Sequence, residues 1–408
     1  MKSSDTRKSK FFLAAFSAIF GSFSVEGVAD LRNWSGTASL TTVGSPADRV
    51  LWNLRPEVAL QYARSFSMLK GLNLDLQVRG RADTQSQFEL SGRHYDTRID
   101  RAVIELLGSK SSVAVGFQKV SWGEPTSFDG VDVVNARDLN EPLYSDRELV
   151  KLSVPALAFQ FLGDNSIFQL VWVFMAQRSP IPEWVEGIPV KEPSPLRLGE
   201  DMEVAVKAGG LTRSGWDING YWAWHLERLP QLILTQSSVG AALELYEPRV
   251  LTVGLTTTQA VGETVIRFEL AQHSDRAVPD FGMLKSESAS QVVSQIGLDW
   301  NVGETTTLTG EFLFERWGRE SSSGFVGSSE LAGLGMRKIF NNGKFETQVN
   351  TLFDFRLIES FASGRLVWKF QDQWQFDLAA NVARTSKGRP LARRLLKDLI
   401  RSELSVRF

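Results

Sequence analysis

The chain has 408 residues, with 45 basic and 47 acidic side chains and a formal net charge of −2, a balance that gives no indication of nucleic-acid binding. It contains no cysteine, which excludes disulfides, thiolate chemistry and cysteine-based zinc sites. The three histidines, His94, His225 and His273, lie far apart and share no ligand spacing, so we expect neither a metal centre nor a cofactor.

The first 29 residues resemble an export signal. Four basic residues precede the apolar run FFLAAF at residues 11–16, and small residues lead to Ala29. A basic region, a short apolar region and small residues at the cut are typical of a secretory signal peptide, and this run is too short to span a bilayer. We therefore predict a cleaved signal peptide over residues 1–29. A membrane-anchored first helix is the alternative.

Alternation of apolar and polar residues dominates the rest of the chain, which has no apolar run of the ~18 residues that a transmembrane helix requires. In residues 71–81, for example, Leu72, Leu74, Leu76 and Val78 alternate with polar residues, and residues 345–356 and 374–384 repeat the pattern. Strict alternation predicts strands with one apolar and one polar face. Their length of ten residues or more is closer to a bilayer-crossing strand than to the ~5–6 residues usual in globular proteins.

Candidate strands follow one another to the end of the chain. In order, they lie near residues 35–43, 49–64, 71–82, 97–107, 112–120, 148–162, 166–176, 202–211, 214–227, 248–257, 262–273, 290–300, 305–316, 329–339, 343–354, 358–369, 372–385 and 397–408. Because bacterial single-chain barrels have even strand numbers, we predict about 16–18 strands, with ~14 as the lower bound. Helical periodicity is weak outside the signal, and we expect at most a short helix near residues 391–400.

The predicted connections are of two kinds. Tight turns are indicated at residues 261–263, 302–304, 341–343 and 371–373. Longer irregular segments are indicated at residues 121–147, 177–200, 228–246, 274–289, 317–328 and 385–394. Short turns that alternate with long loops match the periplasmic turns and extracellular loops of outer-membrane barrels.

Alternation alone does not separate a soluble β-sandwich from a barrel in lipid, because the two differ only in which face is buried. Three features favour the barrel: a signal without cysteines, one-faced strands without a domain break, and an aromatic last residue in strand register. We therefore predict an all-β, transmembrane, antiparallel up-and-down β-barrel, a single domain over residues 30–408, in the outer membrane of a Gram-negative bacterium. A terminal aromatic in this register resembles the signal that barrel assembly machinery recognises, so Phe408 is the candidate assembly signal.

No catalytic motif stands out: the sequence has no Gly-x-Ser-x-Gly elbow, no His-Glu-x-x-His and no phosphate-binding loop, so we predict no enzymatic activity. Charges on the predicted lumenal faces are candidates to line a pore instead. The long polar loop 121–147 is a candidate constriction or plug, with an exposed extracellular loop as the alternative. The pore-lining and constriction candidates are Arg79, Arg81, Glu124, Asp129, Asp132, Arg137, Asp138, Arg267, Glu269, Asp299, Glu311, Arg356 and Arg365. The alternative for wall residues is pairing of opposite charges across neighbouring strands.

A short stretch resembles a known family. Residues 116–124 (GFQKVSWGE), preceded by Arg101 and followed by residues 135–138 (NARD), resemble the G-R-Q…W-G segment (here G-x-Q…W-G) and N-P-x-D loop of uncharacterised proteobacterial outer-membrane, porin-like barrels, and are loosely similar to alginate-export-type porins. The sequence departs from that pattern at Phe117, where the family has Arg, and at Ala136, where it has Pro. The resemblance implies a barrel fold and transport of a hydrophobic or polymeric cargo with an inner-membrane exporter.

Three functional hypotheses remain open from the sequence. The first is a monomeric outer-membrane channel that moves solutes through a charged lumen, with outer-membrane lipids and the barrel assembly machinery as partners and no nucleic acid. The second is a component that exports a lipid-like or polymeric product together with a periplasmic carrier and an inner-membrane exporter. The third is a structural or adhesive barrel with a plugged interior. Charges of both signs are present, so no strong ion selectivity is predicted.

Overall fold

The computed structural model describes residues 34–45, 50–66, 71–82, 95–123, 130–138, 150–180, 184–185, 188–191, 194–228, 231–237, 240–277, 288–318, 328–355, 359–384 and 398–408. The predicted signal peptide, most of the predicted helical stretch, Glu124, Asp129 and Arg356 lie outside these residues, and the side chain of Arg81 is not among those described. Within the described ranges, no helix is long and apolar enough to cross a membrane.

The alternating sequences form strands. In chain order they are β1 (Trp34–Ser45), β2 (Val50–Phe66), β3 (Leu72–Ala82), β4 (Tyr95–Leu107), β5 (Ser111–Gln118), β6 (Val154–Leu162), β7 (Ser166–Val173), β8 (Trp184–Val185), β9 (Ile188–Pro189), β10 (Glu203–Leu211), β11 (Asp217–Leu226), β12 (Gln231–Ser237), β13 (Gly240–Tyr246), β14 (Arg249–Val261), β15 (Thr264–Ala277), β16 (Ser288–Val302), β17 (Thr306–Trp317), β18 (Ser328–Phe340), β19 (Phe345–Asp354), β20 (Glu359–Lys369), β21 (Trp374–Arg384) and β22 (Leu399–Arg407). Eighteen of these strands form one sheet, and β8–β9 and β12–β13 form two small separate pairs. The two small pairs lie in segments that the sequence marked as irregular.

The large sheet is antiparallel and closed on itself. Each of its strands pairs with the sheet strands before and after it in the chain, and β1 also pairs with β22, from Thr37 opposite Arg407 to Gly44 opposite Ile400. Closure leaves no unpaired edge strand. The predicted antiparallel up-and-down barrel is therefore confirmed, with 18 strands, the upper end of the predicted range.

The connections differ between the two ends of the barrel. At the turn end, the strands are joined by residues 108–110, 163–165, 212–216, 262–263, 303–305, 341–344 and 370–373. At the opposite loop end lie the long connections 119–153, 174–202 and 227–248. The predicted turn at Asn341, Asn342 and Gly343 is one of the short ones. All three residues adopt positive φ, at 55°, 54° and 83°, which lets the chain reverse within a few residues. Asparagine and glycine tolerate this conformation best.

The barrel exposes its apolar face and buries its polar face, which is the reverse of a soluble sandwich. In β16, Gln291 and Gln295 on the inner face are each 4% exposed, whereas Ile296 and Trp300 on the outer face are 53% and 49% exposed. An outer surface of this kind fits the hydrocarbon of a membrane. This inversion decides between the two interpretations that the alternation left open.

Candidate functional site

The chain that follows β5 turns into the interior of the barrel. Residues 119–123 and 130–138 are here called the inward segment. The Trp122 side chain donates a hydrogen bond from Nε1 to Oε1 of Gln169 on β7 (2.7 Å), and its ring centroid lies 5.6 Å from that of Tyr221 on β11. Gln169 and Tyr221 belong to the inner face of the wall, since Phe168, Leu170 and Trp222, which flank them along the strands, are exposed. The inward segment therefore lies against the inner wall.

Side chains join the two ends of the inward segment to each other and to residues 151–152, which precede β6. The Asn135 side chain accepts from the Val120 N–H (2.7 Å) and donates to the Leu152 carbonyl (2.6 Å). The Lys151 ammonium lies 2.6 Å from the Asp132 carboxylate, and the two side chains are only 3% and 8% exposed. Buried polar groups that are fully hydrogen-bonded make a segment rigid. The two ends of the inward segment are thus held together by hydrogen bonds of the buried Asn135 side chain and by one ion pair.

Glu269 of β15 holds the middle of the inward segment. Its Oε1 accepts hydrogen bonds from the main-chain N–H groups of Gly130 (2.6 Å) and Val131 (3.1 Å), and the residue is only 6% exposed. On the neighbouring strand β14, Gly254 leaves room for the Val131 side chain: a Cβ at Gly254 would lie 2.3 Å from Cγ1 of Val131. The inner wall is therefore shaped to the inward segment at this point.

Arg228 holds the next part of the inward segment from the loop end of β11. Its Nε donates to the Val133 carbonyl (2.8 Å) and its Nη2 donates to the Val134 carbonyl (2.5 Å). The same guanidinium pairs with Glu203 of β10 (2.5 Å), and Glu203 also accepts from the Leu226 N–H (2.8 Å). Glu203 and Arg228 are 1% and 8% exposed, so this ion pair is buried. Arg228 thus binds the main chain of the segment, and Glu203 of the wall holds Arg228 in place.

An apolar core lies inside the barrel, between the inward segment and half of the wall. The segment contributes Trp122, Val131, Val133 and Val134, all buried. The wall contributes mostly small inner-face residues: Val103, Ala114, Val154, Ala156, Ala158, Val171, Val173, Ala205, Ala223 and Ala271. Burying apolar side chains stabilises this arrangement by roughly 25 cal/mol per Å² of apolar surface removed from water. The interior beside β4 to β15 is therefore packed.

A cluster of charges surrounds the start of the inward segment. Asp100 of β4, 3% exposed, lies 2.8 Å from the Arg79 guanidinium and 3.3 Å from both the Arg98 guanidinium and the Lys119 ammonium. Arg98 also reaches Asp138 of the inward segment (3.1 Å). Burial lowers the pKa of Lys119 below its ordinary value, against the opposing attraction of Asp100. The cluster joins β3 and β4 to both ends of the segment.

A second charged cluster lies on β15 to β17, next to Glu269 along the same strand. Arg267 forms a bidentate pair with Asp299, with Nη2 to Oδ1 at 2.9 Å, and its guanidinium lies 4.0 Å from Glu311. The Thr309 hydroxyl donates to Asp299 as well (2.8 Å). With Glu269, this group holds three carboxylates and one guanidinium, so it carries an excess of negative charge.

Three arginines lie in one row across the strands of the wall opposite the packed half. Arg337 of β18, Arg365 of β20 and Arg401 of β22 fall in the same transverse row through the register of the intervening strands. Each pairs with one carboxylate, from Glu346, Asp377 and Glu403 respectively. The side chains of Arg337 and Arg365 remain 52% and 39% exposed, while those of Glu346 and Asp377 are 21% and 5% exposed. The guanidinium groups of Arg337 and Arg365 are thus exposed on a part of the inner wall that the described residues of the inward segment do not cover.

The structure divides the predicted site residues into groups. Arg79 and Asp138 belong to the cluster around Asp100, and Asp132 pairs with Lys151. The main chain of Arg137 forms an isolated antiparallel β-bridge with that of Lys151, and the Arg137 N–H donates to the Ser179 hydroxyl (3.3 Å). The second cluster contains Arg267, Glu269, Asp299 and Glu311, and the opposite wall carries Arg365. Whether these residues line a conducting pore stays a prediction.

Several residues of the site were not singled out from the sequence. Asp100 and Arg98 lie next to a register shift opposite Gln77 and Val78, which disturbs the alternation that would have revealed their face. Arg228 lies in a stretch interpreted as a long loop, where no periodicity indicates orientation. Gly254 is one of many glycines, and only the position of Val131 reveals its role.

Among the described residues, no group of three or more His, Asp or Glu side chains could hold a metal ion. No protein-family model and no curated protein matches the sequence. Solved structures resemble the fold: OccAB4 of Acinetobacter baumannii (TM-score 0.56, 9% identity, 92% of this chain and 97% of that one), OpdK of Pseudomonas aeruginosa with vanillate (0.58, 10%, 92% and 98%) and OccK8 (OprE) of P. aeruginosa (0.58, 9%, 92% and 97%). At these identities the likeness concerns the fold, and this chain has the barrel fold of those outer-membrane proteins.

Proposed function

We propose that the protein is a porin-like channel that passes solutes through a charged lumen. The observation that carries the proposal is a closed 18-strand barrel whose interior is packed on one side by the inward segment. Barrels of about 16–18 strands leave an aqueous channel unless their interior is filled. A segment that fills one side only would narrow such a channel and give it a defined constriction.

The side of the wall that the described inward segment leaves uncovered supplies the polar lining. Arg337 and Arg365 present exposed guanidinium groups there, and Arg267, Asp299 and Glu311 lie at the edge of the packed half. Charges that line a pore set solute preference through their field. The exposed arginines support a modest preference for anions on the opposite wall, while the carboxylate excess on β15 to β17 acts against it at the edge of the inward segment.

The similar solved structures suggest a first solute to test. One of them is OpdK with vanillate, a small aromatic carboxylate. An anion of that size could meet the row of Arg337, Arg365 and Arg401 on its way through the barrel. We propose small organic anions of this kind as the first solutes to be assayed.

The observations favour the channel over the export of a lipid-like product. Among the described residues, small apolar residues of the inner wall such as Ala205, Ala223 and Ala271 are buried in one core with the inward segment, so they do not line the passage beside it. A lipid-like cargo would require an apolar lining, because its chains would displace water from charged walls without replacing the lost hydrogen bonds, which costs free energy. The export hypothesis, with its periplasmic carrier and inner-membrane exporter, would return if the refolded barrel carried no current.

The test is conductance of the refolded protein in a planar bilayer. We expect discrete current steps in potassium chloride and a reduction of the current when vanillate is added. A control preparation that is heat-denatured before reconstitution should give no steps. A folded barrel that inserts, as judged by its heat-modifiable mobility on gels, and yet passes no current would refute the proposed channel.

The proposal includes a location and partners. The export signal predicted from the sequence and the apolar outer surface support insertion into the outer membrane of a Gram-negative bacterium, where we propose that the protein acts as a monomer. Phe408 would serve as the assembly signal: its ring lies outside the barrel at 47% exposure, and its main-chain N–H and C=O pair with Gly36 (both 3.0 Å).

A further inference from the structure

The middle of the inward segment is attached to the wall through its main chain. The Glu269 carboxylate accepts from the N–H groups of Gly130 and Val131, and the Arg228 guanidinium donates to the carbonyls of Val133 and Val134. Hydrogen bonds with one charged partner are shorter and stronger than those between neutral groups. The attachment is therefore made to the main chain, and at Gly130 it also requires the absence of a side chain, because a Cβ there would lie 2.5 Å from Oε1 of Glu269.

Both anchors are themselves fixed. Arg228 is held by Glu203, whose other oxygen accepts from the Leu226 N–H, and Arg228 also reaches the Gln177 carbonyl (3.2 Å). Glu269 stands in the middle of β15, where its backbone pairs with strands on both sides. An anchor on a paired strand moves only if the barrel wall moves. Glu269 thus ties the segment to a paired strand, whereas Arg228 lies two residues beyond the end of β11 and is held in place by Glu203 of β10 and the Gln177 carbonyl.

The wall beneath the segment is complementary in shape. Gly254 and Ala271 are the inner-face residues next to Glu269, and a Cβ at Gly130 would approach the Ala271 side chain to 3.3 Å. Val131 is 1% exposed in this socket. Small wall residues allow the main chain of the segment to approach the carboxylate closely. Shape and charge therefore fix the same position.

We infer that Glu269 and Arg228 are positioning residues that set the width of the pore, by holding the inward segment against β11 to β15 as a fixed wall rather than a hinged lid. This inference rests on the proposed channel function, because the position of the segment matters for transport only if solutes pass beside it. Without the Glu269 charge, the segment leaves the wall more often and the passage beside it fluctuates in width.

The first experiment measures attachment without measuring transport. Since the chain has no cysteine, a Val131→Cys variant carries one thiol, at a position that is 1% exposed. A water-soluble thiol reagent should label it slowly, because it reacts only while the segment is detached. Adding Glu269→Gln keeps the side-chain shape but removes the charge, and we expect the labelling rate to rise about tenfold, equivalent to ~1.4 kcal/mol. Arg228→Gln should have an effect in the same direction.

The matched control is Glu315→Gln. Glu315 is also a glutamate of the inner wall, but its carboxylate accepts from Gln291 and Trp317 and not from the inward segment. Labelling of Val131→Cys should be unchanged by this substitution. Val134→Cys, at a position that is 2% exposed, is a second reporter if the first variant does not fold. Equal labelling with and without Glu269→Gln, in whichever reporter folds, would overturn the anchoring role.

The second experiment connects attachment to pore width. A Cβ at Gly254 would lie 3.5 Å from Cβ of Val131, within the range for a disulfide, so Val131→Cys/Gly254→Cys should cross-link the segment to the wall. In a Glu269→Gln background, we expect larger and noisier current steps under reducing conditions and wild-type steps after oxidation. Identical currents in both states would overturn the effect on pore width.

The two proposals fail in distinguishable ways. A wild-type barrel without current would refute the channel and leave the labelling result of Val131→Cys intact. A barrel that conducts, but in which Glu269→Gln does not change the labelling rate of Val131→Cys, would refute the anchoring role and leave the proposed channel function intact.

Discussion

Gly254 offers a direct test of the position of the inward segment. Replacing it with alanine adds a single methyl group to the inner face of β14, directly beneath Val131. The matched control is Gly364→Ala on β20, another mid-strand glycine, where an added Cβ would have no atom within 4 Å. Both substitutions remove the same conformational freedom of glycine, so their difference isolates the contact with the segment.

The magnitude follows from the distance. The new methyl carbon would lie 2.3 Å from Cγ1 of Val131, whereas carbon atoms pack best at ~3.5–4.0 Å. Forcing an additional methyl group into a packed interior costs about 1–3 kcal/mol. Alanine in place of glycine within a strand otherwise contributes about 0.5–1 kcal/mol of stability. We therefore expect Gly364→Ala to be neutral or stabilising, and the free energy of unfolding of Gly254→Ala to lie about 1–3 kcal/mol below it.

The assay is unfolding by guanidinium in detergent micelles, followed by tryptophan fluorescence and by gel mobility. A Val131→Ala background provides the decisive comparison, because it removes the methyl group with which the new Cβ collides. In that background, the cost of Gly254→Ala should largely disappear, giving a coupling energy between the two sites. If Gly254→Ala costs the same in both backgrounds, or no more than Gly364→Ala, the segment does not occupy this socket and our account of the packed half is wrong.

Three further predictions concern charge, pH and assembly. Arg365→Gln leaves the Asp377 carboxylate without its cationic partner, so the reversal potential in a salt gradient should shift towards cations; an unchanged potential would exclude Arg365 from the conducting path. Burial raises the pKa of Glu247 above its ordinary 4.5 despite the Arg178 partner, so the free energy of unfolding should fall as pH rises from 4.5 through the folded-state pKa, and Glu247→Gln should abolish that slope in guanidinium titrations. Phe408→Ala should reduce the amount of folded barrel in the outer membrane more than the current per inserted molecule, and normal insertion levels would refute the assembly role.

The fold was largely readable from the sequence, because the period of two survives in nearly every wall strand. All eighteen candidate strands coincide with strands of the barrel, and the Asn341-Asn342-Gly343 turn was recognised from residues that tolerate positive φ. The sequence alone did not establish which face is buried. That answer required the exposure of residues such as Ile296 beside the buried Gln295. The β12–β13 hairpin was missed, since it lies in a segment that was interpreted as irregular.

The site was predictable only in part. Alternation places Arg267 and Glu269 on the inner face, but it does not indicate that one pairs with Asp299 on the next strand while the other binds the backbone of a distant segment. The first contact joins residues 32 positions apart and the second joins residues 139 positions apart, and local patterns carry no information on either. Residues 121–147 were a candidate constriction or plug, and the described part of this stretch does contact the inner wall. The role of that contact in transport remains our proposal.

The seam between β1 and β22 imposes an order of events on the making of this barrel. In every other adjacent pair, the two strands follow each other along the chain among the strands of the sheet. The seam instead joins the two ends of the barrel, for example Thr42 and Ser402, whose hydroxyl groups lie 2.7 Å apart although 360 positions separate them. The entropy of closing so long a chain is no obstacle, since each doubling of length adds only about 0.6 kcal/mol. Until the last strand arrives, however, the edge of β1 that does not face β2 remains unpaired, and any other extended chain could pair with it. The first strand to emerge is thus the one that must wait longest for its partner, and its protection during that interval is a requirement for assembly.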